Sequence, residues 1–544
     1  FGDDSSDEEV SVEPQDGENE SEDEVNIFSD EENAAVREDE KGEIIESGSC
    51  GHDATYKLYA DGTLYIEGTG AIEYHYFDNN DNIKSIIIGE GITSISYSGI
   101  FRGNKNLVSV TLPEGFTDLG DFTFDGCSSL ANIKLPESLK NIGRYAFRDC
   151  SSLTSINLPE GLASTGWGVF SGCTNLSEIT WPTGLTHIET GTFSGCNNLT
   201  SFDFSHITSI GDSAFSGCGF KTIVIPENVI EIGSNVFKDC SNLRSVKLPS
   251  ELEKISDGMF NNCSRLSDIE IPDSVKEIGA RAFESGWDLT DIKLPDGLVS
   301  IGDSAFSSTE ITYFRLPESL QRIGNYAFAS GKFSNIEIPK SVTKIGNGAF
   351  AWSNLREITV PESAIDFGYS VFSNCAKLEK VVIKSNITEL KKDTFKWCYS
   401  LKDITFPESL TKIGKNVFNS CSKIKSINLP DNLKEIDEYA FQSCGIDSIK
   451  LPQNMISIGY GAFYDCTNLT NISLPEKLQT VDTDAFKNCT NLRSVYIPGA
   501  DVELATRAIG YKDDNTEYDD IILIGNADST TEAYAKKNSF TFHN

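Results

Sequence analysis

The residues of this chain that could do chemistry are its fourteen cysteines, its five histidines and its many carboxylates. Fourteen cysteines first suggest a disulfide framework or zinc sites. Their positions argue otherwise. Thirteen of them stand three residues after the Phe of a recurring motif, at Cys127, Cys150, Cys173, Cys196, Cys218, Cys240, Cys263, Cys375, Cys398, Cys421, Cys444, Cys466 and Cys489. Only Cys50 lies outside that pattern. A buried column of small, weakly polar thiols accounts for such spacing. Neighbouring thiols would be close enough for bridges, but parallel Cβ vectors would not point at each other. No paired Cys-x-x-Cys offers a zinc knuckle. The expectation is therefore free, buried thiols, and outside a cell these suit an anoxic habitat.

The other reactive residues are no better arranged for chemistry. His52, His75, His187, His206 and His543 have no metal-ligand spacing. There is no phosphate-binding Walker loop and no Gly-x-Ser-x-Gly elbow. Gly166-Trp167-Gly168 is too short for a dinucleotide fingerprint. Carboxylates such as Glu137 and Glu160 follow a turn proline, a solvent position, and none is marked out as half of a glycosidase pair. The reading is no enzyme, no cofactor and no metal.

What positions these residues is a repeat. Its Phe recurs at 101, 124, 147, 170, 193, 215, 237, 260, 283, 306, 328, 350, 372, 395, 418, 441, 463 and 486, always 22 or 23 residues apart. A fixed period of that length predicts a solenoid with one coil per repeat. Leu-x-x-Ile-x-Leu alternates as a short strand, and Pro ends it. A second short strand, Leu-x-x-Ile-Gly, turns two more apolar residues inward. Asp, Ser or Asn after that Gly reads as the cap of a single helical turn around Ala-Phe. The expected fold class is an α/β solenoid, a right-handed leucine-rich coil stack. It has one long parallel sheet, short second strands and single-turn helices, and is capped at both ends. Residues 83–498 are the solenoid of about eighteen repeats. Residues 47–82, with Asp61-Gly62 between alternating runs, read as an N-terminal β cap, and residues 499–544 as a C-terminal cap.

Net charge is −37, and residues 1–46 hold 20 acidic residues against Arg37 and Lys41. That segment reads as a disordered acidic spacer. Strong acidity disfavours nucleic acid and anionic lipid as partners. No apolar run is long enough to insert in a membrane. The chain begins at Phe1 rather than Met, which fits a removed N-terminal signal.

Five repeats lack the cysteine, with Asn104 in the first and Gly286, Thr309, Gly331 and Ser353 in a central block. Trp287, Tyr313, Arg315 and Trp352 gather in the same block, and aromatics with Arg are the usual anchors of a binding patch. An outward column runs Lys247, Glu270, Lys293, Arg315, Glu337, in which Lys293 and Arg315 are like-charged neighbours. No continuous aromatic stripe is visible on that face.

The motif Leu-x-x-Ile-x-Leu-Pro-x-x-Leu-x-x-Ile-Gly-x-x-Ala-Phe-x-x-Cys resembles the BspA-like leucine-rich repeat surface proteins of bacteria, over residues 83–498. The segment Ser47 to Gly70 resembles the N-terminal cap of gut Gram-positive members, and Ala533 to Asn538 their C-terminal cap. The resemblance implies an extracellular, secreted or cell-surface protein of an anaerobe. It also implies adhesion to a host matrix or other cell-surface protein. The chain is expected to be a monomer that binds a protein partner. Two alternatives stand beside that: a carbohydrate-binding surface module, and a rigid spacer presenting another domain.

Overall fold

A computed structural model describes residues 42–74, 77–512, 516–518 and 520–544. Most of the acidic segment expected as a spacer, and His75, lie outside the described residues.

The coil closing on Phe170 shows how the motif folds. Leu153, Ile156 and Leu158 point inward and are buried, which is the alternation expected of the strand Ser155–Asn157. The Pro159 carbonyl accepts the Leu162 N–H at 3.0 Å, so the chain turns at the proline. A two-residue strand, Ser164–Thr165, follows. The Gly166 N–H donates to the Ile142 carbonyl of the preceding coil at 2.8 Å. Phe170 then fills the centre, and the Cys173 N–H donates back to its carbonyl at 3.1 Å.

Identical positions stack in register. Ser155, Ile156 and Asn157 pair in parallel with Glu178, Ile179 and Thr180 one repeat later. The shorter second strands make the longer ladders. One six-stranded ladder runs from Lys254–Ile255 to Asp366–Phe367, and another from Glu389–Leu390 to Glu503–Leu504. The first strands, expected to form one long sheet, form a series of shorter ladders instead.

All eighteen repeat phenylalanines are buried. Their rings form an unbroken ladder with centroids 5.1 to 6.0 Å apart and planes within 24° of parallel. Each ring buries its faces against its neighbours, and each such aromatic pair adds ~1 kcal/mol to the burial itself. The N-terminal hairpin extends this column. Strands β1 (Ile44–Ser49), β2 (Asp53–Tyr59) and β3 (Thr63–Ile72) pair antiparallel, with the β2–β3 turn at Asp61-Gly62. The first three residues of β1, Ile44 to Glu46, lie inside the stretch expected to be spacer. Tyr56 packs edge-on against Phe77, which stacks on Phe101. At the other end helix α1 (Thr530–Lys537) is capped by the Ser529 side chain, and its Tyr534 hydroxyl donates to the Ile509 carbonyl at 3.0 Å.

The third side of the coil differs from the expected helical turn. In every coil the residue two before the Phe and the residue two after it have positive φ, as at Tyr145 (55°) and Asp149 (58°). A left-handed residue cannot continue an α-helix. The segment therefore forms successive turns, and its N–H groups reach the next coil. Tyr145, Phe147 and Asp149 donate to the carbonyls of Trp167, Val169 and Ser171 at 2.8, 3.0 and 2.8 Å. This third ladder between coils replaces the helix.

Candidate functional site

The cysteine column is structural. All fourteen thiols are free and buried. Each of the thirteen repeat thiols donates to the carbonyl of the Phe one coil earlier, as Cys150 does to Phe124 at 3.2 Å and Cys444 to Phe418 at 3.0 Å. Where the earlier coil has its own Cys, that carbonyl also accepts the Cys N–H, 3.1 Å for Cys127 on Phe124. Each thiol thus ties two coils together. Burial pushes Cys127, Cys196, Cys240 and Cys466 up to about 12, and the thiol, not the reactive thiolate, is the form present at neutral pH. Among the described residues no group of three His, Cys, Asp or Glu is placed to hold a metal.

In the central block this tie changes. Gly286 and Gly331 have no side-chain donor. Thr309 turns its hydroxyl to the Phe306 carbonyl of its own coil at 3.0 Å, and Ser353 pairs with the Cys375 thiol at 3.3 Å. The first strands stop in the same place. Residues 289–295, 309–317 and 335–339 keep the path of the coil without strand pairing. These three coils, between Asp268–Ile269 and Glu357–Val360, are the widest interruption of the first ladder among the described residues. Lys293 and Arg315 face outward there on neighbouring coils, a like-charge pair that disfavours a close ladder.

The four residues singled out from the sequence are all exposed but do not share one face. Tyr313, 67% exposed, and Arg315 are two residues apart and share the outward face of the interrupted ladder. Trp287 lies just past the third side of its own coil, at Gly286. Trp352 belongs to the third side, two residues after Phe350, and its ring stacks on Tyr326 with centroids 6.3 Å apart. Trp397 stands at the same place in its coil, two residues after Phe395. Tyr369, just before the third side of its coil, and Tyr399, just past it at the place Trp287 holds in its own coil, are also exposed. Sequence reading missed this grouping, although the shared offset of Trp352 and Trp397 from the repeat Phe was its signal.

Two open grooves follow the second ladder. One, about 460 Å³, is lined by Asn432, Lys434, Asn454, Ile456, Lys477 and Gln479. The other, about 550 Å³, passes Asp118 and Asp121. The Asp121 carboxylate is held by Arg144 at 2.8 Å, and Asp118 accepts from the Asn141 amide at 2.6 Å. Both carboxylates are thus engaged in ties between coils.

Stacked coils, a Phe core and a thiol ladder define a leucine-rich repeat solenoid. The family model of the BspA type leucine rich repeat region matches in four overlapping stretches, residues 70–200, 166–287, 276–402 and 388–512. The chain belongs to that family. Among solved structures it is similar to a leucine-rich repeat protein of Bacteroides ovatus, 26% identical over 82% of this chain and 93% of that one, TM-score 0.42. It is also similar to a leucine rich cell surface protein of Faecalibacterium prausnitzii, 20% identical over 88% and 98%, TM-score 0.31. A third is the functional domain of InlJ from Listeria monocytogenes, described as including a cysteine ladder, 13% identical over 69% and 74%, TM-score 0.24. A search of curated protein sequences gave no match. No described helix is long and apolar enough to cross a membrane.

Proposed function

We propose that this chain is a secreted or cell-surface repeat scaffold, without catalysis, that binds a protein partner through the outward face of its central coils, residues 283–356. The supporting observation is the coincidence, in the same coils, of three changes: the thiol ladder lapses, the first strand ladder opens to its widest gap, and Tyr313 and Arg315 stand exposed side by side. Tyr and Arg supply large contact area with few rotatable bonds or with a planar set of donors, which is why they anchor interfaces. Trp287 and Trp352 flank the same coils and would contribute at their rim. The partner is an extracellular protein of the host matrix or of another cell, and the chain acts as a monomer.

The test uses the full chain immobilised and exposed to extracellular-matrix and mucus extract, with captured proteins identified and then purified. Against such a purified partner, Tyr313→Ala/Arg315→Ala is expected to weaken Kd at least about tenfold, which corresponds to ~1.4 kcal/mol. An unchanged Kd would remove the central face from the account.

A further inference from the structure

We propose that the third side of the coils from Tyr326 to Tyr399 is a binding strip for a polyanionic glycan, a chain of sugars bearing carboxylate or sulfate groups.

The strip is built from the repeat itself. In backbone terms Trp352, Asn374 and Trp397 are one column. The Trp352 N–H donates to the Ser373 carbonyl at 2.9 Å and the Asn374 N–H to the Lys396 carbonyl at 2.7 Å, so the three sit on successive rungs with parallel Cα–Cβ directions. The two tryptophans are therefore two coil steps apart, with the underlying Phe rings at 5.6 and 5.5 Å per step. That repeat suits alternate sugar rings of an extended glycan laid along the solenoid axis. Tyr326, Tyr369 and Tyr399 widen the strip, and all five rings are between 39% and 52% exposed. Flat, half-exposed rings with a polar tip or none are what the C–H faces of sugars stack on.

The column position makes these tryptophans unusual. It is left-handed, φ 59° at Trp352 and 63° at Trp397. Elsewhere it holds Gly, as at Gly126 and Gly195, or Ser, Asn and Asp, which tolerate that conformation. A bulky side chain there strains the backbone, and such strain concentrates where a function holds it.

Charge decides which glycan. The chain is −37 overall, yet residues 376–402 hold seven lysines against Glu379, Glu389 and Asp393. Two of those lysines are already against the rings. Lys396 Nζ lies 4.4 Å from the Trp397 ring centre and Lys391 Nζ 5.5 Å from that of Tyr369. An ammonium held over one face of a ring can meet an anionic substituent while the sugar stacks on the ring surface left open. Lys392 and Lys396 share the one Asp393 carboxylate at 3.7 Å and Lys402 meets Glu379 at 2.6 Å, so the lysines outnumber the carboxylates beside them, and an uncharged glycan would use the rings without that excess.

The experiment measures binding of the full chain to size-defined heparin oligosaccharides and to uncharged cello-oligosaccharides of equal length, at low and raised salt. Expected results are heparin binding that weakens with salt and little cello-oligosaccharide binding. Trp352→Gly/Trp397→Gly should lose at least tenfold in heparin affinity with thermal stability unchanged or raised, because Gly already serves this position in other coils. Tyr313→Ala/Arg315→Ala should bind heparin normally, which separates this strip from the protein-binding face proposed above. No heparin binding, equal binding of the uncharged oligosaccharide, or heparin affinity untouched by the double tryptophan variant would each overturn the proposal.

Discussion

Gly168 and Gly191 occupy the same place in adjacent coils, both left-handed at φ 61° and 65°. What a side chain would meet differs. A Cβ at Gly168 would come 2.3 Å from Tyr145 Cε1, whereas at Gly191 the nearest atom is the Gly168 Cα at 4.0 Å. Tyr145 is not free to swing away without loss, because its ring stacks on Phe122 at 5.2 Å and lies under the Arg148 guanidinium at 5.1 Å. Gly191→Ala then carries only the left-handed penalty, ~1 kcal/mol after the entropy gain of the unfolded chain is set against it. Gly168→Ala adds overpacking of ~1–3 kcal/mol. The difference of ~2 kcal/mol is about 30-fold in a local opening constant. Long repeat arrays need not unfold in one step, so the assay is hydrogen exchange at the amides joining these coils, such as Tyr145 N–H to the Trp167 carbonyl. Exchange should speed up far more in Gly168→Ala than in Gly191→Ala, and Tyr145→Ser should restore protection, since Ser213 and Ser304 already serve that position. Equal losses in the two glycine variants, or no rescue by Tyr145→Ser, would refute the idea that a tyrosine ring packed over the next coil's glycine fixes these steps.

Other outcomes follow from the same structure. The Asp125 carboxylate, 3% exposed, is held by Arg102 Nε at 2.9 Å and Arg148 Nε at 2.8 Å. Arg102→Ala or Arg148→Ala alone should cost ~1 kcal/mol, while the pair together should cost ~3–5 kcal/mol by leaving a buried charge without a partner, and simple additivity in local exchange would contradict this. Alkaline pH should destabilise the solenoid. The buried thiols titrate higher folded than unfolded, with Cys127 and Cys466 near 12 against an ordinary value of 9.0, so their contribution is complete below pH 9 and falls as pH rises through it. At pH 10 each thiol ionised only in the unfolded chain costs ~1.4 kcal/mol. A denaturation midpoint that stays flat from pH 8 to pH 10 would rule that out.

Much of this fold was legible because one period governs both the phenylalanine and the cysteine columns. Each repeat position has a single environment, so Phe101 and Phe486 must be buried for the same reason. The Asp61-Gly62 hairpin and the Ser529 cap were legible for a different reason, local turn and capping chemistry. The third side was not. Asp212-Ser-Ala-Phe looks like a helix start, and Tyr145 or Arg281 at a left-handed position contradicts local preference. The glycines at 99, 168, 191, 258, 348 and 461, all two residues before the Phe, were the signal that tertiary stacking overrides it. Trp352 was found from residue type alone and read together with Tyr313. Which face it joins depends on its offset from Phe350, and that offset pairs it with Trp397.

Thiol accessibility tests the central claim most directly, because one readout reports burial, register and redox state together. The intact full chain, held without reductant and treated with a small thiol reagent at neutral pH, should show no fast-reacting cysteine. The same chain in denaturant should show all fourteen. Several thiols reacting in the native chain, or fewer than fourteen released on unfolding, would contradict a single stack of coils closed around one interior.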